Sequence, residues 1–360
     1  MFQYQYLLKN YSFFIHIFNY YKYIMNLSKI IIWGHELHNH THSYIHNAFY
    51  ITFKHLNYDV YWFNEDGKNN YPKENEIIDF NNSLYIAHGL ESKNLPLNET
   101  SHYICHNFNF INIDEYLIPE NHSLRDQVKG IPHKNITYLQ VYTNYCLNNE
   151  NVERCEFSKH YYHLKDNSCI YMTWATDLLP CEIDDNIAKI SSFKAKNISN
   201  FIGMPLEHNF ALKKALQKDN IEYAVYGGTF NKNSNQNKST EENMKLIQES
   251  IIAPALQSEW QKEHHYIPCR IFKNISYGKM GMTNSNAVYE FFEKKILYSE
   301  NIDELVKIGL KFEKKEDKND HIKELMIYVR DNHTYVNRIA FTLEFLRTKK
   351  DITVKKYELI

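Results

Sequence analysis

The chain has 360 residues, room for two α/β units at roughly 150 residues each, and its 43% hydrophobic content supports a sizeable core. A formal net charge of -2 provides no general basic surface, which argues against a protein that mainly grips nucleic acid. The six cysteines (Cys105, Cys146, Cys155, Cys169, Cys181, Cys269) form no C-x-x-C pair, so a reduced, cytoplasmic setting is the simplest account.

Residues 1–24 form an aromatic leader that includes Phe13, Phe14, Phe18, Tyr20 and Tyr21. Lys9, His16, Asn19 and Lys22 break its apolar run below the roughly 18 residues a spanning helix needs. The leader is therefore expected to pack poorly or not to be made. Membrane association through it is the less favoured reading.

From Lys29 the pattern alternates between short apolar runs and helical spacing. Ile30–Trp33 predicts a buried parallel strand, and Ser43–Leu56 a helix with Tyr44, Ala48, Phe49, Thr52, Phe53 and Leu56 on its apolar positions. Further strands are predicted at Asp59–Phe63, Ser83–Ala87, His102–Cys105 and Thr137–Tyr142. This first unit is expected to close near residue 160. A second unit opens around Ser168–Thr173, with strands at Asn200–Gly203 and Tyr223–Gly228 and helices at Asn209–Asp219 and Glu241–Ser250. Ile302–Phe312 and His321–Leu346 are helix-like, the latter long enough to reach back across both units. The fold class is thus α/β, with two successive open sheets.

Five segments carry candidate chemistry. The first strand ends in His35, His38, His40 and His42, beyond the carboxyl end of a strand, where ligands of α/β sheets sit. The spacing matches neither H-E-x-x-H nor H-x-x-E-H, so no metal is assigned. A polar substrate loop is preferred over an uninvolved surface loop, with His35 or His40 as a base or hydroxyl-orienting group. Gly227, Gly228 and Thr229 follow a strand, where glycine lets a nucleotide approach the backbone, although a plain turn explains them too. Trp174 and Asp177 fall where the units meet, as hinge or ligand contact, and His333 and Arg338 interrupt the last helical pattern with a polar patch. The most informative stretch is Tyr266–Gly278 followed by Met280–Ser285. It reads as a loop entering a helix, with Pro268 at its first position and Arg270 in its first turn, then a strand and a second polar helix start. Two helix N-termini beside Arg270 suit a diphosphate, because free N–H groups and the helix dipole favour anions. A buried helix capped by its neighbours is the alternative.

Arg270–Gly278, Thr283–Ser285, Val288–Phe292 and His333–Arg338 together resemble the C-terminal half of CgeB-type glycosyltransferases, which belong with the group 1 transferases of GT-B fold. Trp33–His35 through Tyr61–Trp62, with Trp174–Pro180, is similar to the giant-virus members of that group. The likeness spans roughly residues 27–345. It implies two Rossmann-like domains facing a cleft. Residues 25–160 would hold the acceptor, residues 165–325 the nucleotide-sugar, and a helix over 326–348 would cross back onto the first domain. It also implies metal-independent transfer with no cofactor beyond the donor, a saccharide or glycoprotein acceptor, and the host cytoplasm if the source is viral; the charge balance adds the expectation of no nucleic-acid partner. On this reading Arg270 and Lys273 neutralise the diphosphate. Asn284 and Ser285 bind phosphate or ribose through the second helix start, and Gly227, Gly228 and Thr229 admit the donor. His35 or His40 serves the acceptor, and Asp177, His333 and Arg338 join the domains.

One departure from the family stands out. Many group 1 transferases place Glu where this chain has Lys273 and His265, and Lys273 cannot accept hydrogen bonds from ribose hydroxyls. That departure favours a second reading, a non-catalytic GT-B module that binds nucleotide or glycan. A metal hydrolase built on the histidine loop is a weaker third.

Overall fold

The computed structural model describes residues 24–72, 77–88, 94–106, 133–146, 150–156, 158–205, 207–227 and 237–356. The aromatic leader lies outside this set except for Ile24, as do Gly228 and Thr229.

The first unit is built on an eight-stranded sheet. Its central strands are β2 (Lys29–Trp33), β3 (Val60–Phe63), β4 (Ser83–His88), β5 (His102–His106) and β6 (Ile136–Gln140), all parallel, in the order β3-β2-β4-β5-β6. Parallel strands covered on both faces read as unbroken apolar runs, and alternate residues divide between the two faces. Ile30 and Ile32 pack with Phe49, Phe53 and Leu84 in one layer, while Ile31 and Trp33 pack with Phe63, Tyr85 and Tyr103 in the other. The Ser43–His55 helix covers the first face with Ile45, Ala48, Phe49, Thr52 and Phe53 buried, the stripe expected of an amphipathic helix. It ends at Asn57, whose left-handed φ of 60° is one that Asn tolerates.

Near its end the first unit departs from expectation. β7 (Val152–Arg154) and β8 (Tyr162–Leu164) pair antiparallel, and β9 (Cys169–Tyr171) returns to pair parallel with β6, Tyr138 opposite Cys169. Ser168–Thr173 therefore completes the first sheet and does not open the second. A three-residue strand with buried Cys169, Ile170 and Tyr171 reads the same in either sheet; only its partner decides.

The second unit holds two parallel pairs, β10 (Ile198–Ile202) with β11 (Glu222–Tyr226) and β12 (Met282–Thr283) with β13 (Leu297–Tyr298). Residues 251–257 join them, Ile251 N–H donating to the Ile198 carbonyl (2.7 Å) and Ala255 N–H to that of Met282 (2.9 Å). Around this sheet lie the helices Pro180–Lys189, Glu207–Lys218, Thr240–Glu249, Cys269–Ser276, Ile302–Glu313 and Lys318–Asn332.

The long terminal helix expected over His321–Leu346, and its crossing portion over 326–348, is two helices, Lys318–Asn332 and Tyr335–Lys349. The break is at His333 and Thr334. Thr334 begins the second helix in a reciprocal cap, its N–H donating to Asn337 Oδ1 at 2.8 Å, which satisfies donors that a helix start leaves open. Lys318–Asn332 packs in the second unit through Ile322, Leu325, Met326 and Val329. Tyr335–Lys349 packs in the first through Tyr335, Ile339, Phe345 and Leu346, with Tyr335 edge-on to Phe49 at 4.7 Å. After it β14 (Ile352–Val354) pairs with β1 (Met25–Leu27). No helix among the described residues is long and apolar enough to cross a membrane.

Candidate active site

A cavity of about 310 Å³ lies between the two units, within the size range of ligand pockets. Thr41, His42, Tyr44 and Ala48 line it from the first unit. Gly203, Gly227, Pro268, Arg270 and Lys273 line it from the second, and Trp174 and Asp177 from the connection between them. The chain also bridges the units beside it: Tyr142 pairs with Tyr266, and Thr143 Oγ1 donates to the His265 carbonyl at 3.1 Å.

Pro268 is the N-cap of the Cys269–Ser276 helix and precedes its first turn, one position earlier than expected. Pro268, Cys269 and Arg270 all line the cavity, so the positive end of the helix opens on it. Arg270 Nε donates to the Ile202 carbonyl at 3.2 Å, and its guanidinium lies 4.1 Å from the centre of the Phe201 ring. Burial pushes its pKa down, but a guanidinium stays charged. Among the described residues no carboxylate pairs with Arg270. A cation withdrawn from water without a counterion is an invitation to an anion.

Room for Arg270 comes from Gly203, whose φ is 130° and where a Cβ would stand 2.8 Å from Arg270 Nη2. Gly227 ends the neighbouring strand with φ 83°, its own Cβ position 3.6 Å from Gly203 N. Both strand ends therefore need glycine where they meet the cavity. Gly203→Ala is expected to displace the guanidinium and weaken nucleoside diphosphate binding about tenfold, roughly 1.4 kcal/mol, while leaving the circular dichroism spectrum unchanged. Titration calorimetry of wild type and variant checks this.

Lys273 also faces the cavity, but it is committed: its Nζ donates to Asp177 Oδ2 at 2.8 Å, and Tyr277 Oη donates to Asp177 Oδ1 at 2.7 Å. Burial lowers the Lys273 pKa, and the Asp177 carboxylate more than offsets this, leaving it raised. Asp177 thus ties the connection to Lys273 and Tyr277 of the second unit.

The second helix start does not reach the cavity. Asn284 Oδ1 accepts from Gln257 N–H (2.8 Å) and its Nδ2 donates to the Gln257 carbonyl (3.0 Å), so its amide fastens residues 251–257 to β12. Ser285 is buried as the N-cap of Asn286–Phe291. The expected pair of converging N-termini is therefore one N-terminus with Arg270.

His333 and Arg338 are both fully buried and away from the cavity lining. Arg338 donates to the carbonyls of Thr173 (2.8 Å), Trp174 (2.8 Å) and Asn332 (2.9 Å). It also donates to Thr173 Oγ1 and Tyr161 Oη. Burial, first, and then Arg338 hold His333 well below the ordinary imidazole range.

On the first unit's side, His35 and His40 are stacked with ring centres 4.1 Å apart, behind His42, which is the one that lines the cavity. They are joined by His46, His88 and His106, from a helix and from the carboxyl ends of β4 and β5. Those three, with Gly203, are what sequence reasoning missed. A lone His at the end of an apolar strand carries no spacing signal, and Gly203 differs from a plain turn only through its contact with a residue 67 positions away.

Residues 207–344 match the family described as glycosyl transferase-like. Among solved structures, an alpha-glucosyltransferase in complex with UDP and a 13-mer DNA containing a HMU base has a TM-score of 0.52 at 8% identity, covering 89% of this chain and 100% of its own. The same kind of enzyme with UDP and a 13-mer DNA containing a central A:G mismatch has a TM-score of 0.52 at 8% identity, covering 88% and 99%. No curated protein matches the sequence. These neighbours correct the expectation of no nucleic-acid partner: transferases of this fold are found on DNA, so a near-neutral net charge does not exclude one. A local basic surface suffices for phosphate contact. The chain thus carries the GT-B fold, and its residues 207–344 are similar to the glycosyl transferase-like family.

Proposed function

We propose that the protein transfers a sugar from a nucleoside diphosphate donor, a UDP-sugar being the first to test, to an acceptor hydroxyl on a saccharide or protein, with nucleic acid retained among the acceptors to screen. Within the glycosyl transferase-like proteins we place it with the CgeB-type, group 1 members, giant-virus ones among them, that its motifs resemble. The observation that carries the reading is Arg270, a cavity-facing cation at a helix start with no carboxylate partner among the described residues. The departing diphosphate gains charge as the glycosidic bond breaks, and fixed donors in a closed cleft stabilise that charge best. Arg270 and the helix start supply this at the diphosphate without a metal or cofactor. His35 and His40 would act on the acceptor through His42, which stands between them and the cavity. Six free cysteines fit a reducing, cytoplasmic setting.

A donor-binding module without turnover is the second reading, favoured by the Lys273–Asp177 pair, which leaves the ribose without the usual Glu. Titration with UDP-, GDP- and TDP-sugars, followed by assay of nucleoside diphosphate release with and without acceptors, separates the two. Binding with release is the expected result, binding alone supports the module, and no binding of any nucleotide ends both.

A further inference from the structure

The other feature that asks for a ligand is the histidine cluster at the acceptor end of the cleft. His42, His88 and His106 each bring a ring nitrogen within 4.8 Å of the others. Their rings are packed, His42 to His88 at 4.5 Å and His88 to His106 at 5.3 Å between centres. The side chains of His88 and His106 are fully buried within this group of rings. Neutral imidazoles present lone pairs, which is the form that ligates metal.

The hydrogen bonds around the triad are consistent with bare nitrogens on His42 and His106. His40 Nδ1 accepts from the His42 N–H at 3.2 Å, so the 3.3 Å contact between His42 Nδ1 and His40 Nδ1 has His42 as donor, leaving His42 Nε2 as a lone pair. His106 Nε2 lies 2.8 Å from His46 Nε2. With His106 donating there, its Nδ1 is a lone pair as well. Among the described residues that atom has no hydrogen-bond partner, and a buried polar atom left unpaired costs about 1–3 kcal/mol. Metal-bound histidines characteristically donate their second ring nitrogen to a neighbour in this way.

We propose that His42, His88 and His106 bind one borderline-soft divalent transition metal, Zn²⁺ or its like, at the acceptor side of the cleft. The choice of metal follows from the donors: three imidazoles and no carboxylate in the triad suit zinc, copper, nickel or cobalt, and not magnesium or calcium. Metal binding would draw these nitrogens, now within 4.8 Å of one another, to the roughly 3.4 Å of a tetrahedral site with bonds of about 2.0–2.1 Å. Three neutral ligands leave the ion's full double charge beside the N-terminus of the Ser43–His55 helix. The fourth position therefore favours an anion, a hydroxide or an acceptor oxygen. His42 borders the cavity, so that position can be reached from it. The site goes against the metal-free loop expected from sequence, because two of its three ligands come from strand ends far from that loop. It is also independent of the diphosphate site around Arg270.

The test uses the full chain with any affinity-tag histidines removed. Elemental analysis of protein exposed to Zn²⁺ and desalted is expected to find one equivalent bound. Co²⁺ is expected to give visible ligand-field bands that saturate at one equivalent. His42→Ala, on the loop, and His106→Ala are each expected to weaken Co²⁺ binding at least ~100-fold, whereas His35→Ala retains it. If His106→Ala does not fold by circular dichroism, His42→Ala gives the reading. Absence of bound Zn²⁺ together with no Co²⁺ bands overturns the proposal. So does a His42→Ala variant that binds Co²⁺ as tightly as wild type.

Discussion

Arg270→Ala is expected to lower kcat/KM for the nucleotide-sugar about 100- to 1,000-fold, roughly 3–4 kcal/mol, with kcat itself falling. A contact made equally in ground and transition states would raise KM alone. Charge on the diphosphate grows as the sugar leaves, so the interaction with Arg270 strengthens toward the transition state. Lys273 cannot substitute, since its ammonium is held by Asp177 at 2.8 Å. Arg270→Lys should recover little: a lysine keeps the charge but loses the planar fork, and with it the contacts to the Ile202 carbonyl and the Phe201 ring. Removing a half-buried cation that has no carboxylate partner among the described residues should leave the unliganded protein as stable as before or more so. Steady-state kinetics with a thermal melt of the same preparation therefore distinguishes loss of function from loss of fold. An Arg270→Ala enzyme with wild-type kcat/KM would remove Arg270 from the mechanism.

What could be read from sequence follows from how locally each feature is encoded. The runs Ile30–Trp33, Ser83–Ala87 and His102–Cys105 announce parallel strands because burial on both faces demands continuous apolar residues, and β2, β4 and β5 lie there. The α/β architecture follows from them. The sheet boundary was not legible, because β9 is chosen by its pairing with β6, and three residues hold no record of a partner. The break at His333 was visible only as a polar interruption, since Asn337 is a modest cap that works through geometry. In the cleft, Arg270 was legible because a helix start after proline with one cation is a local pattern. Asn284 was misplaced because nothing local tells an amide facing a ligand from one spent on the Gln257 backbone. The histidines divide the same way: those after β2 stand out as a run, whereas His88 and His106 join them only through the order β2-β4-β5.

Arg338→Ala is expected to destabilise the protein by about 3–5 kcal/mol, measured as a fall in the urea midpoint at unchanged slope. Arg338 is fully buried, and its guanidinium gathers carbonyls from the connection (Thr173, Trp174) and from the end of the Lys318–Asn332 helix (Asn332). It also lies 5.0 Å from the Tyr161 ring of the first unit and 5.6 Å from Phe272 of the second. Truncation orphans those acceptors, each costing about 1–3 kcal/mol when buried, and leaves a cavity where the chain crosses between units. Arg338→Met separates the two contributions. It fills most of the volume and removes the cost of burying charge but satisfies none of the carbonyls, so a loss near that of Ala assigns the effect to hydrogen bonding, and a loss below about 1.5 kcal/mol assigns it to packing. Arg338→Lys should recover only part of the stability, because one ammonium cannot span acceptors that a planar fork reaches together. A loss below about 1 kcal/mol for Arg338→Ala, the value of an exposed contact, would mean that the crossing is held by apolar packing of Tyr335, Ile339 and Phe345 and not by this arginine.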